Sequence, residues 1–371
     1  MKLTLHPAKL QGKIAAIPSK SDLHRLMIAA WLAGQDITAL PIISDDIAAT
    51  RDCLLANCTM NCRESGSTLR FLLPVMAALG RTAIFTGEGR LPQRPLEPLL
   101  GLLRQHGVAI TDETLPLQIS GKLQPGRYEL SGNVSSQYIT GLLFALPLLQ
   151  GDSEIILTSP LESAGYVEMT MRTLEKFGVI AQKTPNGWHV PGKQFYQPVS
   201  IIQPEGDWSN AAFWLAASVD VIDLDNYSAQ PDRAIVQLLQ NMGDMDAAQC
   251  PDLVPVMAVV YALQPGKHRI YNAARLRIKE SDRLAAMSQN LKTLGANITE
   301  QPDSLTIHGQ AKLCGGVTVD SFGDHRIAMA MSIAALYCDE PIKLTNSHVV
   351  AKSYPDFWDD YVKLGGRADV E

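Results

Sequence analysis

The sequence predicts an α/β protein with two domains, each assembled from copies of one supersecondary unit. The chain has 371 residues, which exceeds the size of one ordinary domain. Segments with helical and with strand periodicity alternate along it. An amphipathic helix that ends in glycine and is followed by two short strands recurs most clearly at residues 99–121, 171–192 and 287–309. Because one such unit is too small to bury its own apolar face, several copies must pack together.

Six copies of this unit can be traced, and two of them are shortened. The helices of the copies end near Asn57, Gly107, Gly178, Gly243, Gly295 and Gly365. After Asn57 and after Gly243, the sequence lacks the pair of strands that the pattern requires there. Three copies in each of two domains fit the length of the chain.

Two breaks in the pattern predict where the chain passes between the domains. Pro18-Ser19-Lys20-Ser21 forms one break, and the polar segment 203–207 forms the other. We therefore expect one domain over residues 19–204 and another over residues 1–18 with 205–371, so that the first strand belongs with the C-terminal half. No G-x-G-x-x-G motif follows that strand, which argues against a dinucleotide-binding domain.

Composition argues against several classes of partner. Lys and Arg total 32 against 38 Asp and Glu, so the net charge of −6 favours neither nucleic acid nor an anionic membrane. The N-terminal segment lacks the apolar core of a signal peptide, and the apolar run 142–149 is too short to span a membrane. We expect a cytoplasmic protein with reduced thiols. Cys53, Cys58 and Cys62 lack the paired spacing of a zinc site, so no metal site is predicted.

The most highly charged stretch is Arg275-Leu276-Arg277-Ile278-Lys279-Glu280-Ser281-Asp282-Arg283, in which six of nine residues are charged. It precedes a helical pattern that runs to Gly295, and Ser281 or Asp282 can cap the first turn. Free backbone N–H groups and basic side chains at a helix N-terminus favour an anionic ligand. A solvated charged loop is the better explanation of this stretch when it is considered alone.

Several other helix or loop starts combine Lys or Arg with Ser, Thr or Gly. They are Lys20-Ser21 with Arg25, Gly66 to Arg70, Arg90 with Arg94, Ser135-Ser136-Gln137, Asp324-His325-Arg326 and Lys352. Each alone could be an ordinary helix cap with solvated charges. Together, in an acidic protein, they favour a site for a multiply charged anion. Two carboxylates near them, Asp252 and Glu280, could transfer protons or serve as ion-pair partners.

The motifs PSKSDLHR, ESGSTLRF, GRLPQRP, NVSSQ, EGDWS, RIKESDR, GDHR and AKSYPDF follow one another in this order over nearly the whole chain. In this respect the sequence resembles the 5-enolpyruvylshikimate-3-phosphate (EPSP) synthase family. The resemblance implies two domains of three βαβαββ units each (an inside-out α/β barrel), which close on the substrates about a double-stranded hinge. The implied reaction transfers the enolpyruvyl group of phosphoenolpyruvate to the 5-hydroxyl of shikimate 3-phosphate, on the pathway to chorismate. No metal or organic cofactor is implied, and a monomer is expected.

The resemblance also implies a role for each matching residue. Lys20 would contact phosphoenolpyruvate, Asp252 would lie near the 5-hydroxyl, Glu280 near the methylene carbon, and His325 beside the phosphoenolpyruvate pocket. Residues that match ligands of shikimate 3-phosphate are Ser21, Arg25, Ser135, Ser136, Gln137, Ser163, Tyr166, Asp252 and Lys279. Residues that match the phosphoenolpyruvate pocket are Lys20, Gly66, Arg94, Gln137, Arg283, Arg326 and Lys352.

The sequence departs from the family pattern at two places. Glu64 stands where the family usually has a neutral residue, and two extra residues leave open whether Asn272 or Arg275 contacts shikimate 3-phosphate. Two other functions remain as alternatives. The related UDP-N-acetylglucosamine enolpyruvyl transferases usually carry a cysteine in the loop that corresponds to residues 89–95, where this chain has none. A degenerate anion-binding protein without activity would fit the two shortened copies.

Overall fold

The computed structural model describes all residues from 1 to 371. The chain divides into two compact units, Met1–Ser19 with Glu205–Glu371 (unit 1) and Lys20–Pro204 (unit 2). The helices are α1 (Lys20–Leu32), α2 (Asp45–Leu55), α3 (Gly66–Ala78), α4 (Leu99–Gln105), α5 (Ser136–Ala145), α6 (Ala164–Lys176), α7 (Trp208–Ala216), α8 (Ile235–Asn241), α9 (Val254–Leu263), α10 (Arg283–Thr293), α11 (His325–Ala335) and α12 (Phe357–Lys363).

The strands are short and evenly distributed between the helices. They are β1 (Leu3–His6), β2 (Lys13–Ala15), β3 (Thr59–Asn61), β4 (Ala83–Thr86), β5 (Val108–Ile110), β6 (Leu117–Gly121), β7 (Arg127–Leu130), β8 (Ser153–Leu157), β9 (Gln182–Thr184), β10 (Gly187–Val190), β11 (Asp220–Ile222), β12 (Met245–Asp246), β13 (Gly266–Tyr271), β14 (Asn297–Gln301), β15 (Ser304–Gly309), β16 (Thr318–Asp320), β17 (Ile342–Thr345) and β18 (Arg367–Val370). No helix is both long enough and apolar enough to cross a membrane.

Four sheets of four strands share one topology, which identifies four complete copies of the repeat. Their strand orders are β3-β4-β6-β5, β7-β8-β10-β9, β12-β13-β15-β14 and β16-β17-β1-β18. In each sheet the first two strands are parallel, and every later pair is antiparallel. In three sheets the chain order is β-α-β-α-β-β, whereas in the fourth the N-terminal strand β1 takes the place of the last strand. The predicted βαβαββ units are therefore confirmed.

The two remaining copies are shortened, as the sequence predicted. Helix α2 is followed by β3, which belongs to the next sheet, and helix α8 is followed by β12, which also belongs to the next sheet. Neither helix is followed by a strand pair of its own. The copy that contains α7 and α8 retains only the parallel pair β2 and β11.

Glycine ends the helices of the complete copies because the residue there has a left-handed backbone. The φ angles are 91° at Gly107, 72° at Gly178, 81° at Gly295 and 101° at Gly365, a region that residues with a Cβ atom avoid. Helix α8 ends near Gly243, as predicted, but there Met242 and not the glycine adopts the left-handed conformation, with a φ of 46°.

In unit 1, the segments on either side of the two chain crossings pair with each other. Pro18 and Gly206 form an isolated antiparallel bridge. The Ser19 amide donates to the Glu205 carbonyl at 2.7 Å, and the Asp207 amide donates to the Ile17 carbonyl at 2.8 Å. The two crossing segments are thereby tied side by side.

Helix N-termini hold most of the residues that the sequence singled out, and polar side chains fix their first turns. Ser65 caps α3, Ser135 caps α5, Asp282 caps α10 and Asp324 caps α11, each by accepting a hydrogen bond from a backbone amide of the first turn. Asp282, and not Ser281, is therefore the cap of α10, the helix that follows the charged stretch. Helices α3 and α5 can pack closely because Gly141 has no Cβ atom; a Cβ atom there would collide with the Arg70 carbonyl.

Candidate active site

In unit 1, the buried guanidinium group of Arg283 joins three carboxylates. Its Nη1 donates to Asp252 Oδ1 at 2.7 Å, its Nη2 to Glu280 Oε2 at 2.9 Å, and its Nε to Asp324 Oδ2 at 2.7 Å. Burial alone would lower the pKa of Arg283, but the three carboxylates outweigh burial and raise it. We call these four residues, together with Lys279 and Arg326, the Arg283 cluster.

Asp324 connects the two helix N-termini that carry this cluster. Besides Arg283, its carboxylate accepts hydrogen bonds from Ser281 Oγ at 3.1 Å and from the Arg326 amide at 2.9 Å. Its side chain is completely buried. Asp324 thus fixes the start of α10 and the start of α11 relative to each other.

Asp252 lies between two cations of the Arg283 cluster. It belongs to the short 3-10 helix Pro251–Leu253 that precedes α9, and its Oδ2 accepts a hydrogen bond from Arg326 Nη2 at 3.1 Å. Burial alone would raise the pKa of Asp252, but Arg326, Lys279 and Arg283 together hold it well below its usual range. Asp252 is therefore ionised at neutral pH and can accept a hydrogen bond from a hydroxyl group.

Lys279 lies close to the carboxylates of Asp252 and Glu280. The pKa of Lys279 is lowered to about 8, mainly by burial and to a smaller extent by Arg283 and Arg275, whereas Asp252 and Glu280 act in the opposite direction. Near neutral pH the ammonium group remains charged, so it can bind an anion. A modest increase in pH neutralises it.

The remaining predicted residues of unit 1 are buried. His325 and Arg326 are 1% and 5% exposed, so the alternative of a solvated His and Arg beside a capping Asp is wrong. His325 Nδ1 lies 3.8 Å from Asp324 Oδ1. Lys352 ends the 3-10 helix Ser347–Lys352 and is buried. Of these side chains, Arg326 is compensated by its ion pair with Asp252.

In unit 2, two guanidinium groups converge on Gly66, the first residue of α3. A Cβ atom at Gly66 would lie 2.6 Å from Arg70 Nη1 and 2.8 Å from Arg94 Nη1. Two planar cations beside the free amides of a helix N-terminus suit a carboxylate or a phosphate. We call Gly66, Arg70, Arg94 and Gln137 the Gly66 cluster.

Gln137 connects this cluster to α5. Its side-chain oxygen accepts a hydrogen bond from Arg70 Nη1 at 3.1 Å, and its side-chain nitrogen donates to Ser67 Oγ at 3.0 Å. Its backbone amide donates to Ser135 Oγ at 3.3 Å, and Ser136 is the first helical residue. Ser135 and Gln137 therefore belong to one polar network with Arg70, which lies beside Gly66.

A third group of predicted residues surrounds Arg25, which is buried in α1. Arg25 Nε donates to Thr170 Oγ1 at 2.9 Å, and its Nη2 donates to the Tyr166 carbonyl at 2.8 Å. Its Nη1 donates to the Ser21 carbonyl. Ser163 has a left-handed backbone with a φ of 55° immediately before α6. The structure thus brings Ser21 and Arg25 of α1 together with the first turn of α6.

Three residues that contact the predicted site residues are not themselves among them. Asp324 and Arg70 occur only within the predicted motifs, and Asp46 belongs to none of them. Asp46 Oδ2 accepts a hydrogen bond from Lys20 Nζ at 2.9 Å. A weak signal for Asp46 exists in Ser44-Asp45-Asp46, since a cap followed by acids is typical of a helix start. Its pairing with a lysine 26 residues away cannot be read from the sequence.

The two departures from the family pattern have defined positions. The Glu64 carboxyl group packs against Gly89, where a Cβ atom would overlap it. Asn272 Nδ2 donates to Asp246 Oδ1 at 3.1 Å, and Arg275 Nη2 donates to the Ala248 carbonyl at 2.9 Å. Both candidates for a shikimate 3-phosphate contact are therefore attached to the same segment, and the choice between them stays open.

Comparison with known proteins identifies the family. The family model described as EPSP synthase (3-phosphoshikimate 1-carboxyvinyltransferase) matches residues 47–248 and 230–361. A relative from Clostridium novyi (strain NT), named 3-phosphoshikimate 1-carboxyvinyltransferase, is 41% identical over 424 aligned positions, which cover 98% of this chain and 97% of the relative. That alignment is longer than this chain, so it contains gaps here, in agreement with the two shortened copies.

Solved structures show the same fold. EPSP synthase from Acinetobacter baumannii matches with a TM-score of 0.80 at 22% identity and covers 100% of both chains. The enolpyruvyl transferase NikO from Streptomyces tendae matches with a TM-score of 0.77 at 17% identity, covering 99% of this chain and 98% of that one. The repeated βαβαββ architecture is thus the two-domain enolpyruvyl transferase fold, and the chain belongs to the EPSP synthase (3-phosphoshikimate 1-carboxyvinyltransferase) family.

Proposed function

We propose that this chain transfers the enolpyruvyl group of phosphoenolpyruvate to the 5-hydroxyl of shikimate 3-phosphate, releasing phosphate and 5-enolpyruvylshikimate 3-phosphate. The observation that carries the proposal is the binding of Asp252 and Glu280 to one guanidinium group, that of Arg283. An addition followed by an elimination needs two proton-transfer groups at fixed positions beside bound anions. The product would lie on the pathway to chorismate and the aromatic amino acids.

Phosphoenolpyruvate would be held mainly by cations. The proposed ligands are Lys20, Gly66, Arg94, Gln137, Arg283, Arg326 and Lys352. The convergence of two guanidinium groups on Gly66 and the burial of Arg283, Arg326 and Lys352 support this assignment. Preorganised cations stabilise the phosphate and carboxylate charges without reorganising during the reaction.

Shikimate 3-phosphate would be held by hydroxyl groups and by two further cations. The proposed ligands are Ser21, Arg25, Ser135, Ser136, Gln137, Ser163, Tyr166, Asp252 and Lys279. The polar group around buried Arg25 supports a contact with the substrate there. The charge that Lys279 carries near neutral pH supports a contact with an anionic or hydroxyl group of the substrate.

In the addition step, Asp252 would accept a hydrogen bond from the 5-hydroxyl and assist loss of its proton, while Glu280 delivers a proton to the methylene carbon. The oxygen then bonds to the adjacent carbon and forms a tetrahedral intermediate. In the elimination step, Glu280 would retake a proton from the new methyl group as the C–O bond to phosphate breaks. Lys20 would share in these transfers, and His325 would lie beside the phosphoenolpyruvate pocket.

Glu280 must carry a proton before the addition, although its contact with Arg283 favours the ionised form. Bound phosphoenolpyruvate resolves this conflict, because its negative charges would compete for Arg283 and repel a carboxylate beside them. Proton uptake by Glu280 would then be coupled to substrate binding.

The test is phosphate release measured with each substrate alone and with both. Release is expected only when both are present, and Glu280→Gln should retain substrate binding while losing turnover. Glu340→Gln is the matched control, since Glu340 is exposed and outside both clusters. Release with UDP-N-acetylglucosamine in place of shikimate 3-phosphate would favour the sister family. Folded protein that binds both substrates without releasing phosphate would favour the degenerate alternative.

The expected monomeric state and cytoplasmic location stay predictions. Size-exclusion chromatography with light scattering would test the first, and cell fractionation would test the second.

A further inference from the structure

A buried ion pair joins the first residue of α1 to the first turn of α2. Lys20 Nζ lies 2.9 Å from Asp46 Oδ2, and the two side chains are only 14% and 9% exposed. Lys20 is one of the residues proposed to contact phosphoenolpyruvate, whereas Asp46 has no assigned role. An ammonium group on a flexible four-carbon stem has no fixed position of its own, so a buried partner decides where its charge lies.

Asp46 is itself held in place by a chain of hydroxyl groups. Thr50 and Thr68 share a hydrogen bond of 2.6 Å, and both hydroxyls approach the Asp46 carbonyl, at 3.4 and 3.5 Å. Thr68 Oγ1 also donates to Ser65 Oγ at 2.7 Å, and Ser65 is the cap of α3. The backbone of Asp46, whose carboxylate pairs with Lys20, is therefore connected to the helix start that contains Gly66.

The histidine beside this chain does not compete with Lys20 for the negative charge. His24 Nδ1 shares a hydrogen bond of 2.7 Å with Thr50 Oγ1, and His24 is buried. Burial lowers its pKa to about 3, with smaller contributions from Asp46, Lys20 and Arg25. His24 is thus neutral at neutral pH, and it acts here as a hydrogen-bond partner.

We propose that Asp46 is a positioning residue, whose carboxylate fixes the Lys20 ammonium group for its contact with phosphoenolpyruvate. The inference rests on the proposed function, because it assigns Asp46 a role through Lys20. Binding energy then need not be spent on ordering the lysine when the substrate arrives. Without the carboxylate, Lys20 keeps its charge but loses the buried ion pair at 2.9 Å.

The kinetic test compares Asp46→Asn with Asp45→Asn. Asp45 is the matched control because it precedes Asp46 in the same helical turn but is exposed. Asp46→Asn should lower kcat/KM for phosphoenolpyruvate by about tenfold or more, as expected for a misplaced substrate contact. The dissociation constant of shikimate 3-phosphate should stay within about twofold, which also shows that the variant is folded. Asp45→Asn should match the unaltered protein.

A double-substitution cycle separates positioning from a general structural role. If Asp46 acts through Lys20, then Asp46→Asn should have little further effect in a Lys20→Ala background. Additive losses in kcat/KM would overturn the proposal. Asp46→Glu, which keeps the charge, should recover part of the loss.

A second measurement does not depend on turnover. Trace acetylation followed by mass spectrometry compares the labelling rate of Lys20 with that of the exposed Lys9 in the same molecule. Lys20 should react much more slowly than Lys9, and Asp46→Asn should reduce this difference at least severalfold while Asp45→Asn leaves it unchanged. Equal protection of Lys20 in all three proteins would overturn the inference. Loss of phosphate release in the unaltered protein would instead refute the proposed function.

Discussion

Replacing Asp324 with Asn tests whether one buried carboxylate fixes the Arg283 cluster. The substitution preserves the shape of the side chain but removes its charge and one of its two acceptors. The remaining oxygen can accept from Arg283 Nε or from the Arg326 amide, which now bind different oxygens, but the new NH2 group must face the other donor. The change therefore breaks an ion pair without creating a cavity.

The size of the effect follows from burial. Breaking a buried ion pair by removing one partner costs about 3–5 kcal/mol. Arg283 keeps Asp252 and Glu280 as partners, so we expect a loss at the lower end, about 3 kcal/mol. For a domain of the size of unit 1 this corresponds to a decrease in Tm of about 6–12 °C. Catalysis should suffer more, since Arg283 would lose its fixed orientation toward phosphoenolpyruvate, and about a hundredfold decrease in kcat/KM is expected.

Thermal unfolding and steady-state kinetics check the two effects. Asp303→Asn is the control, because it makes the same change in charge at an exposed residue in the turn between β14 and β15. The Tm of this control variant should stay within about 1 °C of that of the unaltered protein, as for most surface substitutions. If Asp324→Asn changes Tm no more than this control, then Asp324 does not hold Arg283 and Arg326 in place. A lower Tm with unchanged kcat/KM would refute the link between this carboxylate and substrate binding.

Two further substitutions test the proposed binding groups. Since burial lowers the pKa of Lys279 to about 8, kcat/KM for shikimate 3-phosphate should fall above that pH, and Lys279→Arg, which stays charged, should move the fall to higher pH. The effect on stability has the opposite sign. Between about pH 8 and the ordinary pKa of 10.5, the unfolded chain binds a proton at Lys279 that the folded chain does not, so the contribution of Lys279 to the unfolding free energy rises with pH. Urea titrations would measure this rise, and its absence would contradict the lowered pKa of Lys279. Gly66→Ala should raise KM for phosphoenolpyruvate severalfold with little effect on shikimate 3-phosphate binding, because the new methyl group must displace the Arg70 and Arg94 guanidinium groups. An unchanged KM would place phosphoenolpyruvate elsewhere.

Local features of this fold could be predicted from the sequence because local interactions determine them. Gly107 and Gly295 end their helices for a backbone reason that acts within one turn, and Asp282 and Asp324 cap helices through neighbouring amides. The absence of a strand pair is equally visible, since too few residues separate α2 from β3. Such signals located the elements and the helix starts that carry the candidate site.

Partnerships between distant residues could not be predicted in this way. Arg283 and Asp324 are 41 residues apart, and Lys20 and Asp46 are 26 apart, so packing of whole helices decides whether they meet. Burial was also hidden, because a charged residue at a helix start looks the same in sequence whether solvent or other side chains surround it. For His325 and Arg326, the tertiary structure decides in favour of burial.

The two shortened copies lack strands of the fold but no proposed site residue. The proposed site residues lie in the first two turns of helices, in 3-10 helices or in the loops beside them, and none lies on a strand. Loss of a strand pair therefore removes no proposed ligand. Helix α2 lacks a strand pair and still buries seven of its eleven residues, so a loss of burial is confined to α8. The seven-residue helix α4, which has its strand pair, buries four leucines, whereas the seven-residue helix α8, which lacks one, buries only Ile235. The shortening should thus reduce stability around α8 and leave the catalytic groups in place, which is why the two missing strand pairs do not argue for an inactive protein.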